Sequence, residues 1–307
     1  MSVAVFTHMV ALEHDTGAHH PECADRLRYV LRALEAPEFA PLLREEAPLA
    51  TRAQLVAAHD AAFVDAIFAL PQDRMIAIDG DTIFSPGTLE TVLRGAGGAV
   101  AAVDAVMQGK AEAAFVAMRP PGHHAETDRA MGFCFFNNVA VAARHARDKW
   151  GLKRVAIVDF DVHHGNGTQE IFYQDASVMY ASSHQSPCFP GTGRKSETGA
   201  GNIFNIPLPP GTGSKDFREA WREGILPDLR AFAPELLIIS AGFDAHAADP
   251  LAQLQLQAPD YTWLTQELLA VADECCPGRV VSVLEGGYNL EALAQSCAAH
   301  VRGLMRL

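Results

Sequence analysis

The sequence has few features that would tie the chain to nucleic acid, to a membrane or to an oxidising compartment. Lys and Arg number 24 against 37 Asp and Glu, so the net charge of −13 leaves no expected basic face for a phosphate backbone. The longest apolar run, residues 96–107, contains Asp104 and is too short to span a bilayer, and the first residues lack the basic segment of a signal peptide. None of the six cysteines forms a CxxC pair, which favours reduced, buried thiols in a cytoplasmic protein.

The sequence is also free of internal repeats and of any Pro/Gly/Ser-rich linker. Hydrophobic residues make up 49% and charged residues 20% of the 307 positions, which is typical of a globular protein. A chain of this length can bury a large core without disulfides. We therefore expect one domain that spans residues 1–307.

Short β-branched runs alternate with longer helical patterns along the chain. The predicted strands are residues 3–6, 114–118, 155–160, 178–181, 203–206, 236–240 and 280–284. The predicted helices are residues 22–34, 51–70, 86–107, 138–150, 215–232, 259–273 and 290–305. The strands are continuous apolar runs, as expected for strands buried on both faces of a sheet. The pattern predicts a single-domain α/β fold with a doubly wound, mainly parallel sheet flanked by helices.

Most of the histidine, aspartate and glycine clusters directly follow these predicted strands. In open parallel sheets, ligands bind beyond the carboxyl ends of the strands. We therefore expect the functional site to be built from five segments, which are residues 119–124, 159–167, 182–184, 242–250 and 285–289.

A metal site is the first prediction from these segments. Asp161 and His163 are two residues apart, so on an extended segment both side chains can reach one ion. Asp249 follows another strand and can supply a third ligand. One imidazole, two carboxylates and an open position suit catalytic zinc, while oxygen ligands also admit Fe(II), Co(II) or Mn(II). The competing interpretation of Asp249 is a turn cap, because Asp-Pro commonly opens a turn.

An acid–base pair and a hydroxyl donor are the second prediction. His123 and His124 are adjacent, and a carboxylate such as Asp159 would make one of them more basic and fix its tautomer. The hydroxyl of Tyr288 can donate to a developing oxyanion. Taken alone, each residue also has a non-catalytic interpretation. The histidines could be exposed loop residues, and the tyrosine could be a packed aromatic ring. Their common placement at strand ends favours function.

Eight segments in this order resemble the histone deacetylase family, which has the arginase/deacetylase fold. They are His20-Pro-Glu-x-x-x-Arg26, Asp79-Gly-Asp81-Thr82-x-x-Ser85-Pro86-Gly87, Arg119-Pro-Pro-Gly-His-His124, Gly132-Phe133-Cys-x-Phe-Asn137-Asn138, Asp159-x-Asp-x-His-His-Gly-Asn-Gly167, Phe189-Pro-Gly-Thr-Gly193, Gly242-Phe-Asp-Ala-His246 with Asp249-Pro250-Leu251, and Glu285-Gly-Gly-Tyr-Asn289. The fifth and seventh look most like the class II branch and its bacterial relatives, including acetylpolyamine amidohydrolases. The resemblance covers almost the whole chain.

The resemblance implies a role for each matched residue. The implied zinc ligands are Asp161, His163 and Asp249. The implied catalytic residues are His123 paired with Asp159, His124 paired with Asn166, and Tyr288. The implied substrate-binding residues are Phe133, Phe189, Gly132, Asp81, Leu256 and Gly287. The implied ligands of a structural potassium ion are Asp159, Asp161, His163, Ser182 and Ser183, and those of a second monovalent cation are Phe172, Asp175, Val178 and Asn202.

The resemblance implies a zinc-dependent amidohydrolase that removes acetyl or other acyl groups from lysine side chains or related amines. Asn166 stands where class I members carry an aspartate, so His124 should be less basic than in a doubly carboxylated pair. Three alternatives stay open at this point: hydrolysis of acetylpolyamines or other small amides, an arginase-like binuclear manganese enzyme, and an acyl-lysine-binding module without turnover. The native metal and homo-oligomerisation stay open as well. No membrane or direct nucleic-acid partner is expected.

Overall fold

Eight parallel strands form the central sheet of the computed structural model, which describes residues 2–307. The strands are β1 (Val3–Thr7), β2 (Leu43–Glu46), a separate hairpin of β3 (Ile76–Ala77) and β4 (Ile83–Phe84), then β5 (Ala113–Val116), β6 (Val155–Asp159), β7 (Val178–Gln185), β8 (Ile203–Leu208), β9 (Leu236–Ala241) and β10 (Val280–Leu284). The order in the sheet is β2-β1-β5-β10-β9-β6-β7-β8, and every neighbouring pair is parallel. This confirms the predicted α/β fold class.

Helices connect the strands and flank the sheet. They are α1 (Ala24–Ala33), α2 (Arg52–Val56), α3 (Ala61–Phe68), α4 (Thr88–Met107), α5 (Asn138–Trp150), α6 (Asn166–Phe172), α7 (Ser214–Ala220), α8 (Leu226–Phe232), α9 (Ala258–Cys275) and α10 (Leu290–Met305). Among the described residues, no helix combines the length and apolar character needed to cross a bilayer. All six cysteines are unpaired.

The central strands are buried because their residues are apolar on both faces. Every residue of β5, β6, β9 and β10 is buried, which matches the continuous apolar runs in the sequence. Side-chain caps then fix where two of the flanking helices start. Asn137 accepts a hydrogen bond from the Ala140 N–H at the start of α5, and Asn289 does the same at the start of α10.

The helix predicted over residues 51–70 is two helices, α2 and α3. The chain turns between them at His59, whose Nε2 accepts the Asn137 N–H at 2.9 Å and whose Nδ1 lies 2.8 Å from the Glu126 carbonyl. These long-range bonds outweigh the local helical pattern. A π-helical turn, Trp221–Ile225, likewise divides the predicted helix 215–232.

The sheet order explains where a site can form. The adjacent strands β5, β10, β9, β6 and β7 occupy the middle of the sheet. Parallel strands present their carboxyl ends at one edge. The five segments predicted to carry function therefore meet at a single edge of the molecule.

Candidate active site

A buried group of two aspartates and one histidine lies at this edge. Ligand atoms of Asp161, His163 and Asp244 all lie within 4.8 Å of one another. His163 Nδ1 is 3.2 Å from Asp161 Oδ1 and 3.1 Å from Asp244 Oδ2. One imidazole and two carboxylates form a donor set that zinc accepts with a fourth position left open. The geometry therefore fits a divalent cation held by these three side chains.

The second carboxylate of this group is Asp244, and Asp249, which the sequence analysis selected, lies close enough to interact electrostatically with Asp244 and His163. The Asp249 carboxylate accepts main-chain N–H bonds from Tyr288 at 2.7 Å, Leu251 at 3.0 Å and Asn289 at 3.4 Å. The Asp161 oxygens accept main-chain N–H groups in the same way, and a carboxylate offers about four lone-pair sites, so these bonds leave room for a metal ligand. Asp249 holds the turn and the backbone of Tyr288, and its role as a zinc ligand stays a prediction.

Strand register explains why Asp244 reaches the group. Asp159 of β6 pairs with Ser240 of β9. Beyond the ends of these strands, the two segments continue to His163 and Asp244, whose Nδ1 and Oδ2 atoms lie 3.1 Å apart. The Asp244 Oδ1 also accepts the Val162 N–H at 2.8 Å, so the two segments are bonded together where the ligands converge.

Two glycines allow the loops to close around the group. A Cβ atom on Gly286 would lie 2.6 Å from Asp161 Oδ2 and closer still to Asp244 Oδ2. A Cβ atom on Gly242 would overlap the Asp161 carboxylate. The Gly286 N–H instead donates to Asp161 Oδ2 at 2.8 Å. Only glycine permits this close approach of backbone to ligand.

The charges in this group favour a bound cation. Burial opposes ionisation of Asp161, but His123 and His163 hold the pKa of Asp161 below its usual range. Burial and the neighbouring Asp161 charge raise the pKa of Asp244 to about 7. Two buried carboxylates this close repel each other, and a divalent ion between them would remove that repulsion.

The two adjacent histidines have different partners. His123 Nδ1 donates to Asp159 Oδ2 at 3.0 Å, and His124 Nδ1 donates to Asn166 Oδ1 at 2.8 Å. Burial opposes protonation of His123, but Asp159 and Asp161 raise the pKa of His123 to about 10. Burial and the charge on His123 lower the pKa of His124 well below its usual value. The pair therefore combines one cationic and one neutral imidazole, with ring centroids 4.0 Å apart.

Glu285 supports this pair, a role that the sequence analysis did not assign. Its Oε2 accepts the main-chain N–H of Gly122 at 2.7 Å and of His123 at 3.2 Å. Its Oε1 accepts the Ser240 hydroxyl at 2.9 Å. Glu285 thus ties the histidine loop to β9 and β10. The available sequence signal was a glutamate placed directly after a buried apolar strand. A carboxylate that is buried at such a position needs hydrogen-bond donors.

Tyr288 faces the same site from the end of β10. The Arg26 guanidinium carbon lies 4.9 Å from the centroid of the Tyr288 ring. Arg26 also donates through Nε to the Gly287 carbonyl at 2.7 Å and through Nη2 to the Glu285 carbonyl. Burial raises the pKa of the Tyr288 phenol well above its usual value. The phenol is therefore a neutral O–H donor near neutral pH.

Aromatic rings border the approach to these groups. The Phe189 ring is 43% exposed and lies 5.1 Å from the His124 ring, measured between centroids. The Phe133 ring lies 5.7 Å from the Tyr288 ring. Gly132 has φ of +56°, and a Cβ atom there would lie 2.7 Å from the His124 ring and 3.0 Å from Phe189. Gly132 therefore keeps space beside His124.

The other predicted substrate residues lie at different depths. Asp81 is half-buried beside this approach, because its carbonyl lies 2.9 Å from Nε2 of His20, whose ring packs on Phe133. Leu256 is 0% exposed and bridges to His246, so it does not line an open mouth; Leu251, beside Asp249, is 37% exposed. Gly287 is also buried.

The residues predicted to hold potassium surround the base of the site. Asp159 and Ser182 are register partners on β6 and β7, so their side chains share a face of the sheet. Ser183 faces the other way and its hydroxyl accepts the Trp221 indole N–H at 2.9 Å. The side chain of Ser183 therefore cannot join Asp159 around one ion, and only its carbonyl is left as a ligand.

Comparisons with known proteins show the family to which the chain is related. Residues 20–304 match the model of the histone deacetylase domain. The chain is 40% identical over 326 residues to Histone deacetylase 14, chloroplastic, of Arabidopsis thaliana, covering 98% of this chain and 76% of that protein. It is 39% identical over 289 residues to Histone deacetylase-like amidohydrolase of Pseudomonas aeruginosa, covering 92% and 75%.

Among solved structures, the crystal structure of the HDA15 HD domain matches with a TM-score of 0.93 and 37% identity over 99% of this chain and 88% of that one. These similarities, together with the fold and site, define an amidohydrolase of the α/β class. More specifically, the chain belongs to the histone deacetylase family.

Proposed function

We propose that this protein is a zinc-dependent deacylase that hydrolyses acetyl or other acyl groups from lysine side chains or related amines. The observation that carries the proposal is the convergence of Asp161, His163 and Asp244 beside the His123–His124 pair and Tyr288. Family membership supports an amide substrate. A divalent ion at the carboxylate–histidine group would polarise the amide carbonyl and lower the pKa of water.

His124 is the group that we assign to proton transfer. Its Nδ1 is held by Asn166, which leaves Nε2 for the reacting water. Its neutral state lets it accept the water proton, and it can then return that proton to the leaving amine. His123 is bonded through Nδ1 to Asp159, which favours its charged form. We assign to this imidazole the stabilisation of the negative charge that develops on the carbonyl oxygen, and a pH–rate profile of His123→Gln and His124→Gln tests which of the two is the base.

Tyr288 is the second group assigned to the oxyanion. Its hydroxyl stays protonated, and its backbone is held by Asp249 while Arg26 packs over its ring. Such a preorganised donor acts only where charge develops during the reaction. Removing one typically lowers the rate by ~10²–10³.

The decisive experiment measures hydrolysis of a fluorogenic acetyl-lysine peptide by the Zn²⁺-loaded protein. We expect turnover by the wild type, and for Tyr288→Phe a fall in kcat of about 10²–10³ with little change in KM. Tyr29→Phe removes a hydroxyl from α1 and serves as the matched control. Peptide binding by the wild type without any hydrolysis would favour the alternative of an acyl-lysine-binding module.

The same assay separates the remaining substrates and metals. A higher kcat/KM for acetylated polyamines than for acetyl-lysine peptides would assign a small-molecule amidohydrolase. Parallel loading with Fe(II), Co(II) and Mn(II) tests the choice of zinc, and activity that requires two Mn(II) ions per chain would favour the arginase-like alternative. We propose in addition that potassium binds near Asp159 and Ser182, because a monovalent cation would offset the buried carboxylates there.

The cellular context is proposed from the thiols. Six free cysteines, three of them buried, are typical of proteins in a reducing compartment. We therefore propose a cytoplasmic location and a single catalytic domain over residues 1–307. Fractionation of the native host tests the location, and limited proteolysis tests the domain limits.

A further inference from the structure

Three backbone carbonyl groups converge on the side-chain amide of Asn202. Its Nδ2 lies 2.9 Å from the carbonyl oxygen of Phe172, 3.1 Å from that of Asp175 and 2.7 Å from that of Val178. The Asn202 side chain is buried. These four residues are the ones at which the family resemblance implies a second monovalent cation.

The spacing of the three carbonyl groups explains why they point to one spot. They are three residues apart, and successive turns connect them: the Asp175 N–H donates to the Phe172 carbonyl and the Val178 N–H donates to the Asp175 carbonyl, each at 3.0 Å. Oxygens grouped in this way form a ligand set of the kind that monovalent cations use. We call the three carbonyl oxygens of Phe172, Asp175 and Val178 the carbonyl cage.

The orientation of the Asn202 amide is fixed independently of the cage. Its Oδ1 accepts the Ala200 N–H at 3.0 Å, and its main-chain carbonyl accepts the Tyr180 N–H at 2.9 Å. The opposite flip would place Oδ1 against three carbonyl oxygens, where no donor exists. The network therefore assigns the NH₂ group to the cage.

The surroundings also oppose a cation. Arg144 and Arg147 both form ion pairs with the Asp175 carboxylate, at 2.5 Å and 2.9 Å. The Arg144 guanidinium carbon also lies 4.7 Å from the centroid of the Phe172 ring. The two guanidinium groups of α5 and the single Asp175 carboxylate thus leave an excess of positive charge beside the turn that supplies these carbonyl groups, which raises the cost of placing another cation there.

We infer that the Asn202 amide occupies this carbonyl cage in place of a monovalent cation. A cation at hydrogen-bonding distance from all three oxygens would coincide with Nδ2, so the two exclude each other. The turn at residues 172–178 is then held by a neutral side chain, and its order does not depend on potassium. This departs from the second cation site implied by the resemblance, and it does not depend on the proposed deacylase activity.

Thallium(I), which replaces potassium and scatters anomalously, tests the inference in crystals of the full chain. We expect no thallium at the Phe172, Asp175 and Val178 carbonyl groups of the wild type. We expect an ion there in Asn202→Ala, which removes the amide and leaves the cage. Asn205→Ala is the matched control, because it removes a buried amide from the same segment without opening the cage.

Two results would overturn the inference. One is thallium bound at these oxygens in the wild type, and the other is an equally empty cage in Asn202→Ala. If Asn202→Ala does not fold, Asn202→Ser replaces it in the same comparison. Solution measurements provide a second readout: the Tm of the Asn202 variant should rise in KCl relative to tetramethylammonium chloride at equal ionic strength by more than the Tm of Asn205→Ala does.

Discussion

Asp244 and Asp249 follow the same strand, β9, but their side chains make different contacts. Asp244 faces Asp161 and His163, whereas Asp249 accepts three main-chain N–H groups. Both are aspartates near glycine or proline in a loop that also contains His246. Residue type alone therefore could not distinguish them, and only the structure shows that Asp244 lies beside Asp161 and His163.

Substitution of each aspartate separates the two roles. Asp244→Ala should lose bound divalent metal, because it removes one of three ligands. Asp249→Ala should lower kcat, because Tyr288 loses the carboxylate that fixes its backbone, and its metal content tests whether Asp249 is also a ligand. Elemental analysis of the dialysed variants and kcat on an acetyl-lysine peptide make the measurement. Full metal content in Asp244→Ala together with metal loss in Asp249→Ala would assign the metal ligand to Asp249 instead of Asp244.

Glu285 is predicted to position the histidine pair without touching substrate. Glu285→Ala removes the acceptor for the Gly122 and His123 N–H groups, and a small misplacement of catalytic groups can lower kcat by ~10²-fold. Glu285→Gln should recover most of the activity, since its carbonyl can accept these bonds and its NH₂ can donate to Ser240. Steady-state kinetics should show the change in kcat rather than KM. Equal losses in both variants would indicate that the negative charge, not the hydrogen bonding, is required.

At the scale of elements, the local sequence pattern predicts the strands that are buried on both faces. It does not predict a strand that forms only because it pairs with a neighbour. The seven predicted strands are all present, because continuous apolar runs can only be buried between two helical layers. β2, with the sequence Leu-Arg-Glu-Glu, was not predicted. It is exposed along its length and is a strand because it pairs with β1. The short helix α6 was missed because it begins with Asn-Gly, a pair more typical of turns.

The packing of α4 depends on one glycine. The segment of residues 48–50 lies against α4, and the Ala50 N–H donates to the Leu93 carbonyl of this helix at 2.8 Å. A Cβ atom on Gly97 would overlap the Pro48 carbonyl of that segment. Helix propensity alone would make Gly97→Ala stabilising by about 1 kcal/mol. Overpacking of this kind costs about 1–3 kcal/mol or more, so we expect net destabilisation.

Urea unfolding of Gly97→Ala makes the comparison. The free energy of unfolding should fall by roughly 1–2 kcal/mol with the m-value unchanged. Gly80→Ala is the matched control, because a Cβ atom there has no neighbour within 4 Å. An increase in stability for Gly97→Ala would show that α4 and the 48–50 segment can move apart.

At the scale of the whole molecule, buried histidines couple the fold to pH. His300 lies between α9, β10 and α10, with Nδ1 2.6 Å from the Thr265 hydroxyl and Nε2 2.8 Å from the Ser282 hydroxyl. Thr265 gives its own hydrogen to the Tyr261 carbonyl. Nδ1 of His300 therefore donates and Nε2 accepts. Burial lowers the pKa of His300 to about 3.

This depressed pKa predicts a loss of stability in acid. Below the unfolded pKa of 6.5, the unfolded chain binds a proton at His300 that the folded chain refuses until about pH 3. The free energy of unfolding therefore falls as pH decreases through this window, by up to about 1.4 kcal/mol per pH unit. In His300→Gln, the free energy of unfolding should fall less steeply as pH decreases, because the proton taken up by His300 on unfolding is removed. Urea unfolding from pH 6 to pH 4 measures it, and an unchanged slope would contradict the prediction.

The sequence by itself determined the fold class and predicted which strand ends carry the candidate site. It did so because apolar periodicity and the position of polar residues after buried strands are properties of the chain alone. Only the tertiary structure brought Asp244 beside Asp161 and His163, gave Glu285 its partners and placed the Asn202 amide among three carbonyl groups. Those choices depend on which strands are neighbours and in what register. That order is set by packing between distant segments, which no local pattern encodes.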